Sequence, residues 1–90
     1  MDEFRWLNKQ GVESTEGFVV QFTGRFTAEY RENGRVLEVD IEPGVVGGSP
    51  AICYAASSFR RWSADPAEQQ RVSGNFGRAL AFQGLVPVAG

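Results

Sequence analysis

Ninety residues, 42% of them hydrophobic and 22% charged, make one folded domain over 1–90 and argue against a disordered chain. The net charge of −2 does not favour binding to nucleic acid or to an anionic membrane, so we expect neither partner. The absence of histidine and the single cysteine, Cys53, exclude an intrachain disulfide and a Cys/His zinc site. We expect no catalysis, no cofactor and no metal, because the commonest general base and metal ligand is missing.

The sequence also bears on where the protein acts. It shows no charged and apolar leader of the secretory type and no apolar run long enough to span a bilayer. The lone cysteine agrees with a reducing compartment. These features predict a cytoplasmic protein.

Short strands are predicted in the first quarter of the chain. Phe4–Leu7 places aromatic residues at alternate positions, which is typical of an edge strand. A turn follows at residues 8–11, and residues 12–17 have no clear period, so they form either a loop or a second short strand. Phe18–Phe22 is rich in β-branched and aromatic residues and predicts a strand.

The strongest local signal is Asn33-Gly34, which predicts a tight hairpin turn with positive φ at both residues. Folding the chain there gives one apolar face and one polar face, and a slip of one residue would exchange them. On the polar face Glu29 lies opposite Glu38, and Asp40 follows two residues later. The pairs predicted on the apolar face are Glu32 with Arg35, Tyr30 with Leu37, Ala28 with Val39 and Phe26 with Ile41.

The segment Thr23–Arg25 admits two interpretations. As a three-residue hairpin loop it pairs Phe22 with Phe26 and keeps the apolar residues on one face. A continuous strand bent at Gly24 has the same parity. We favour the hairpin, because the continuous strand would be more than twice the usual length of about 5–6 residues.

The second half of the chain predicts a loop, a strand and a helix. Residues 42–51 hold two prolines and three glycines and predict a loop, and Ile52–Ala55 predicts a strand. Asp65 caps a helix with Pro66 in its first turn and Glu68 placed for a capping box. This helix runs to Phe82 or Gln83, and Gly84 follows it in the left-handed conformation. Its apolar stripe consists of Val72, Phe76, Ala79 and Leu80.

These elements predict an α+β fold. We expect an antiparallel sheet of about four to six strands, built as a meander of hairpins, with the C-terminal helix packed on one face. A last short strand at Leu85–Val88 lies at an edge, because Pro87 lacks an N–H for a neighbour.

Two groups of side chains are candidate sites. The carboxylates of Glu29, Glu38 and Asp40 form an acidic surface that is solvated or meets a partner, since a flat hairpin face offers no cleft for acid–base catalysis.

The second candidate group is Arg60, Arg61 and Trp62, which could stack on a base or hold a phosphate. Its structural alternative is that Trp62 packs over the helix N-terminus while one arginine pairs with an acidic neighbour.

Several strings together resemble the bacterial immunity protein 74 family. They are Gly24-Arg25, the run from Thr27 to Arg35, Tyr54, Arg61-Trp62 and the run from Ala79 to Gly84. The likeness spans residues 11–88, and the chain departs from it at Gly74, Asn75 and Gly77, where better helix formers are expected.

The resemblance implies an antidote that binds and neutralises a cognate protein toxin. Our own hypothesis from the hairpin residues is that the acidic surface meets a basic patch on that toxin. The alternatives are a nucleic-acid or anion-binding module that uses Arg60, Arg61 and Trp62, or a structural subunit that forms a homodimer through exposed strand edges.

Overall fold

A computed structural model describes residues 3–90. Residues 3–90 form seven β-strands, a 3-10 helix and one α-helix, α1. Their bounds are β1 Phe4–Asn8, β2 Gly11–Ser14, β3 Phe18–Phe22, β4 Thr27–Glu32, β5 Arg35–Val46, β6 Ser49–Tyr54, the 3-10 helix Ala56–Arg61, α1 Pro66–Phe82 and β7 Val86–Ala89.

The strands form one curled sheet in the order of the chain. Neighbours run antiparallel from β1 to β6, and β7 is parallel to β6 because α1 carries the chain back across the sheet. The predicted α+β class with a C-terminal helix is therefore confirmed. The sheet has seven strands rather than four to six, and one pair is parallel rather than antiparallel. Of the two options for residues 12–17, the structure has the second short strand, β2.

The predicted β4–β5 hairpin is confirmed in its turn and its register. Asn33 and Gly34 have φ of 53° and 77°, and Glu29 pairs with Glu38 and Tyr30 with Leu37. One predicted core residue is wrong: Phe26 is 55% exposed, although its carbonyl still accepts a hydrogen bond from the Ile41 N–H at 2.9 Å.

The β3–β4 connection is a hairpin, but its predicted register is wrong by two residues. Phe22 pairs with Ala28 instead of Phe26, so five residues, 23–27, lie between the paired positions instead of three. The Thr23 and Gly24 N–H groups both donate to the Thr27 carbonyl, at 3.2 and 3.3 Å, and this closes the wider loop. A shift of two residues keeps each side chain of β3 and β4 on its predicted face, so the predicted alternation of inward and outward side chains is retained in both strands.

Residues 42–51 are not the predicted loop. Strand β5 continues to Val46, the chain turns at Gly47 and Gly48, and β6 begins at Ser49. Both glycines have positive φ, 56° and 82°. The structure therefore has a second long hairpin, and residues 42–50, which form its outer part, are exposed.

The prolines of the strands fit this sheet because the backbone nitrogen of each one faces away from any neighbouring strand, so no hydrogen bond is lost. The Ile41 N–H donates to Phe26 on the β4 side of β5. Strand alternation directs the nitrogen of Pro43 to that same side, beyond the end of β4. By the same alternation the nitrogen of Pro50 points past the start of β7, and that of Pro87 points to the outer edge.

Helix α1 begins and ends where the sequence predicts. The Asp65 carboxylate accepts the Ala67 N–H at 3.0 Å, and Gly84 follows the helix with φ of 80°. The predicted capping box is wrong in its second half, because the Glu68 carboxylate accepts from Trp62 and Arg71 instead. The predicted stripe of Val72, Phe76, Ala79 and Leu80 is fully buried.

The hydrophobic core lies between α1 and one face of the sheet. Tyr30 stacks on Phe18 with ring centroids 5.5 Å apart, and Phe76 meets Tyr54 and Phe59 at 5.1 and 5.8 Å. Aromatic rings from five elements therefore close the core in edge-to-face and stacked pairs.

The hairpin turn gives the first prediction. Replacing Gly34 with Val should lower the free energy of unfolding by about 1 kcal/mol or more, because a β-branched residue is strained at φ of 77°. Gly44→Val is the matched control: Gly44 lies in β5, lacks the positive φ, and a Cβ there meets nothing within 4 Å. Urea unfolding of both variants measures the difference. Equal stabilities would contradict the role of this turn.

Candidate partner-binding surface

The predicted acidic residues come together on the face of the β4–β5 hairpin that points away from the core. Glu29 lies directly opposite Glu38, and Asp40 lies opposite Thr27 two residues further along β5. Glu42 has the same strand parity and is exposed, so it extends the row. We call Glu29, Glu38, Asp40 and Glu42 the acidic face. Sequence reasoning missed Glu42 because it placed this residue in a loop.

Charge on the acidic face is only partly compensated. Arg31 Nε lies 3.4 Å from Glu29 Oε1, and its guanidinium also donates to Gln21 Oε1 at 3.1 Å. Within residues 3–90 the carboxylates of Glu38 and Asp40 have neither an ion pair nor a hydrogen bond. Like charges in directly opposed strand positions destabilise a hairpin. The arrangement therefore leaves unpaired negative charge on a rigid, exposed ribbon.

The backbone beneath this face is held by the 3-10 helix. The Ser58 hydroxyl accepts the Asp40 N–H at 3.4 Å, and the Arg61 guanidinium donates to the Glu38 carbonyl oxygen at 2.5 Å. These bonds cover the edge of β5 that has no strand beside it. The backbone of this part of β5 is thus held in place by bonds that do not involve the carboxylates themselves.

The second predicted group, Arg60, Arg61 and Trp62, is not brought together as one surface. Trp62 is buried, with its ring edge-on to Tyr30 and the Arg35 guanidinium 3.8 Å from its centroid. Its indole N–H donates to Glu68 at 3.3 Å. Arg61 binds the Glu38 carbonyl, and Arg60 is exposed. The indole ring is therefore engaged on its face and its edge, and a base has no free ring to stack on.

A polar network that sequence reasoning missed joins the hairpin to α1. The Tyr30 hydroxyl donates to Glu32 Oε1 at 3.0 Å and accepts from Asn75 Nδ2 at 2.9 Å. Arg71 forks onto both oxygens of Glu32 at 2.8 and 2.9 Å and also binds Glu68. One sequence signal was available: Asn75 interrupts the apolar stripe of the helix at a core-facing position.

The network shifts the pKa values of its members in directions that follow from their contacts. Burial raises the pKa of Tyr30 from 10.0 to about 12. The hydrogen bonds from Arg71 hold the pKa of Glu32 below its ordinary value despite partial burial. Every buried side-chain nitrogen and oxygen in the described part of the chain has a hydrogen-bond partner. These shifts are those of a satisfied structural network.

Other kinds of site find little support in residues 3–90. No three of their His, Cys, Asp and Glu side chains gather in a group that could hold a metal ion. A groove of about 470 Å³ between the 3-10 helix and α1 has no charged residue in its lining. No helix in this range combines the length and the apolar character needed to cross a membrane.

Comparison with known proteins finds no match to the chain among family models, curated proteins or solved structures. The resemblance to immunity proteins therefore stays a prediction.

The buried phenol gives the second prediction. The unfolded chain should ionise Tyr30 near pH 10, while the folded chain keeps its proton to about pH 12. The free energy of unfolding should therefore fall by roughly 2 to 3 kcal/mol as the pH rises through this window. Tyr30→Phe should remove most of that fall, and at neutral pH it should destabilise the fold by about 1–3 kcal/mol, because Asn75 loses its partner.

Tyr54→Phe is the control, because it removes a phenol from the same core while Tyr30 stays in place. This variant should retain the alkaline loss of the parent chain. Urea unfolding at several alkaline pH values measures the slopes. If Tyr30→Phe loses stability as steeply as the parent, the ionisation of Tyr30 does not differ between the folded and unfolded states.

Proposed function

We propose that the protein binds a basic surface of another protein through its acidic face. The observation that carries this proposal is the row of carboxylates on β5, in which Glu38 and Asp40 lack a cationic partner among residues 3–90 while Glu29 faces Glu38. This arrangement costs the free protein stability, of the order of a few tenths of a kcal/mol. Lys or Arg side chains of a partner would offset that cost on binding.

The resemblance to the immunity protein 74 family supplies the class of partner. On this proposal the protein is an antidote that occupies and blocks a cognate bacterial toxin in the cytoplasm. Complementary charge would serve such an antidote, because electrostatic steering speeds association and selects the right partner. The proposed activity is binding without catalysis, which suits a chain that has no histidine.

The rival interpretation, a nucleic-acid or anion-binding module, has less support. It requires Arg60, Arg61 and Trp62 to act together, whereas Trp62 packs on Tyr30 and Arg35, and Arg61 binds a main-chain carbonyl. The acidic face would also repel a phosphate backbone. For these reasons we favour the protein partner.

The decisive variant is Glu38→Lys. In the free protein it replaces a like-charge pair by Lys opposite Glu29, so thermal stability should be unchanged or slightly higher. In the complex it should slow association by about ten-fold, because it places a cation against the partner's basic surface. The measurement combines thermal melting with binding kinetics to the toxin encoded beside this gene, and with rescue of cells that express that toxin.

Glu16→Lys is the matched control, with the same change in charge at an exposed residue between β2 and β3, outside the acidic face. It should bind like the parent. Full association by both variants would move the interface away from the acidic face. A large loss of stability in Glu38→Lys would show instead that Glu38 has a structural role.

A separate measurement tests the rival. The isolated protein should not bind a single-stranded or duplex oligonucleotide at physiological salt, and Arg60→Ala with Arg61→Ala should change nothing. Salt-dependent binding that disappears in this double variant would support the nucleic-acid module and count against the proposal.

A further inference from the structure

The outer edge of β1 offers backbone groups to another strand. The Thr15 N–H donates to the Glu3 carbonyl at 2.9 Å, so the peptide groups of Glu3 face β2, and by strand alternation those of Arg5 face it too. Strand alternation then directs the N–H and C=O groups of Phe4 and Trp6 away from the sheet. Edge strands of this kind are templates for pairing unless they are blocked.

Aromatic side chains line the same edge. Trp6 is 53% exposed and Phe82 is 43% exposed, and their ring centroids lie 6.1 Å apart. Phe4 contacts Phe82 at 5.3 Å and Phe18 at 5.8 Å, which anchors the exposed rings to the core. Large aromatic groups on a rigid support are the residues that dominate protein interfaces.

The charges on this edge suit a second copy of the chain. Arg5, the charged side chain of β1, is already paired with Glu13 of the same subunit at 2.5 Å. Within β1, two copies can therefore meet without bringing unpaired charges together. The acidic face is different, because two copies would bring unpaired carboxylates together there. The opposite edge of the sheet, β7, is protected by Pro87, which has no N–H to offer.

We propose that β1 pairs with β1 of a second copy, antiparallel and about a two-fold axis at Trp6. An axis at Arg5 would set two guanidinium groups directly opposite each other, which is destabilising. An axis at Trp6 instead sets the two Trp6 rings opposite each other and Arg5 opposite Leu7 of the partner. The register shift between Trp6 and Asn8 ends the regular ladder, so the pairing is short and closes as a dimer.

Such a dimer leaves both acidic faces free, because β1 and β5 are separated by three strands in the sheet. Each dimer would then present two copies of the acidic face. The proposal does not rest on the toxin, and it is tested with the purified protein alone. Its failure would leave the proposed function untouched.

Sedimentation equilibrium over a range of concentrations tests the pairing. The parent chain should show a monomer–dimer equilibrium, and Trp6→Lys should raise the dimer dissociation constant by about thirty-fold or more, as expected for the loss of a central tryptophan. Val45→Lys is the matched control: Val45 is an exposed strand residue in the β5–β6 hairpin, away from β1, and this variant should dimerise like the parent. A parent chain that stays monomeric at every concentration, or a Trp6→Lys variant that dimerises equally well, would overturn the proposal.

Cross-linking tests the register without disturbing Trp6. In a Cys53→Ser background, the double variant Arg5→Cys/Leu7→Cys should form a covalent dimer on mild oxidation, because these positions face each other across the two-fold axis. The single variant Arg5→Cys should cross-link poorly. Efficient cross-linking of that single variant would place the axis at Arg5 and contradict the proposed register, and no cross-link in either variant would contradict β1 pairing.

Discussion

The fold depends on satisfying one hydroxyl group in its core. Tyr30 lies fully buried on β4, under α1, where an unpaired phenol would be costly. Its hydroxyl accepts a hydrogen bond from Asn75 of the helix and donates one to Glu32 of the same strand. Arg71, one turn before Asn75 in the helix, donates in turn to Glu32. Because these bonds are directional, they fix how α1 sits on the hairpin more sharply than apolar contacts alone could.

Strand alternation in the β4–β5 hairpin separates the carboxylate that stabilises the fold from those that stay exposed on the surface. Residues 30 and 32 of β4 face the helix, and residue 29 faces outward, so alternation divides the carboxylates between two environments. Glu32 is held by Arg71 on the inner side, whereas the carboxylates of Glu38 and Asp40 project from the outer side and form no ion pair within residues 3–90. The network thus provides a rigid ribbon, and the unpaired carboxylates on that ribbon are what a partner can use.

Local signals in the sequence were sufficient where the turn and the hydrophobic pattern agreed. Asn33-Gly34 and the alternation around it predict the β4–β5 hairpin to the residue, and Asp65 and Pro66 predict the start of the helix. The same logic failed at residues 42–51, where prolines and glycines usually mark a loop. Whether a proline breaks a strand depends on where its missing N–H would point, and that direction is set by neighbours that the local pattern does not reveal.

The candidate site could be predicted only where it depends on residues that are close together in the sequence. The Asn33-Gly34 turn predicts the positions of Glu29, Glu38 and Asp40. It does not predict that of Glu42, because the end of β5 was predicted to be a loop. In the sequence Trp62 looks like a ligand-binding residue, but in the structure Arg35, 27 positions away in the chain, lies against its ring. Asn75 likewise looks like a poor helix former, but it donates a hydrogen bond to Tyr30, 45 positions away. Tertiary contacts therefore decide which polar and aromatic residues are used inside the fold. The residues they leave unused, the acidic face and the aromatic edge of β1, are the surfaces on which binding can act.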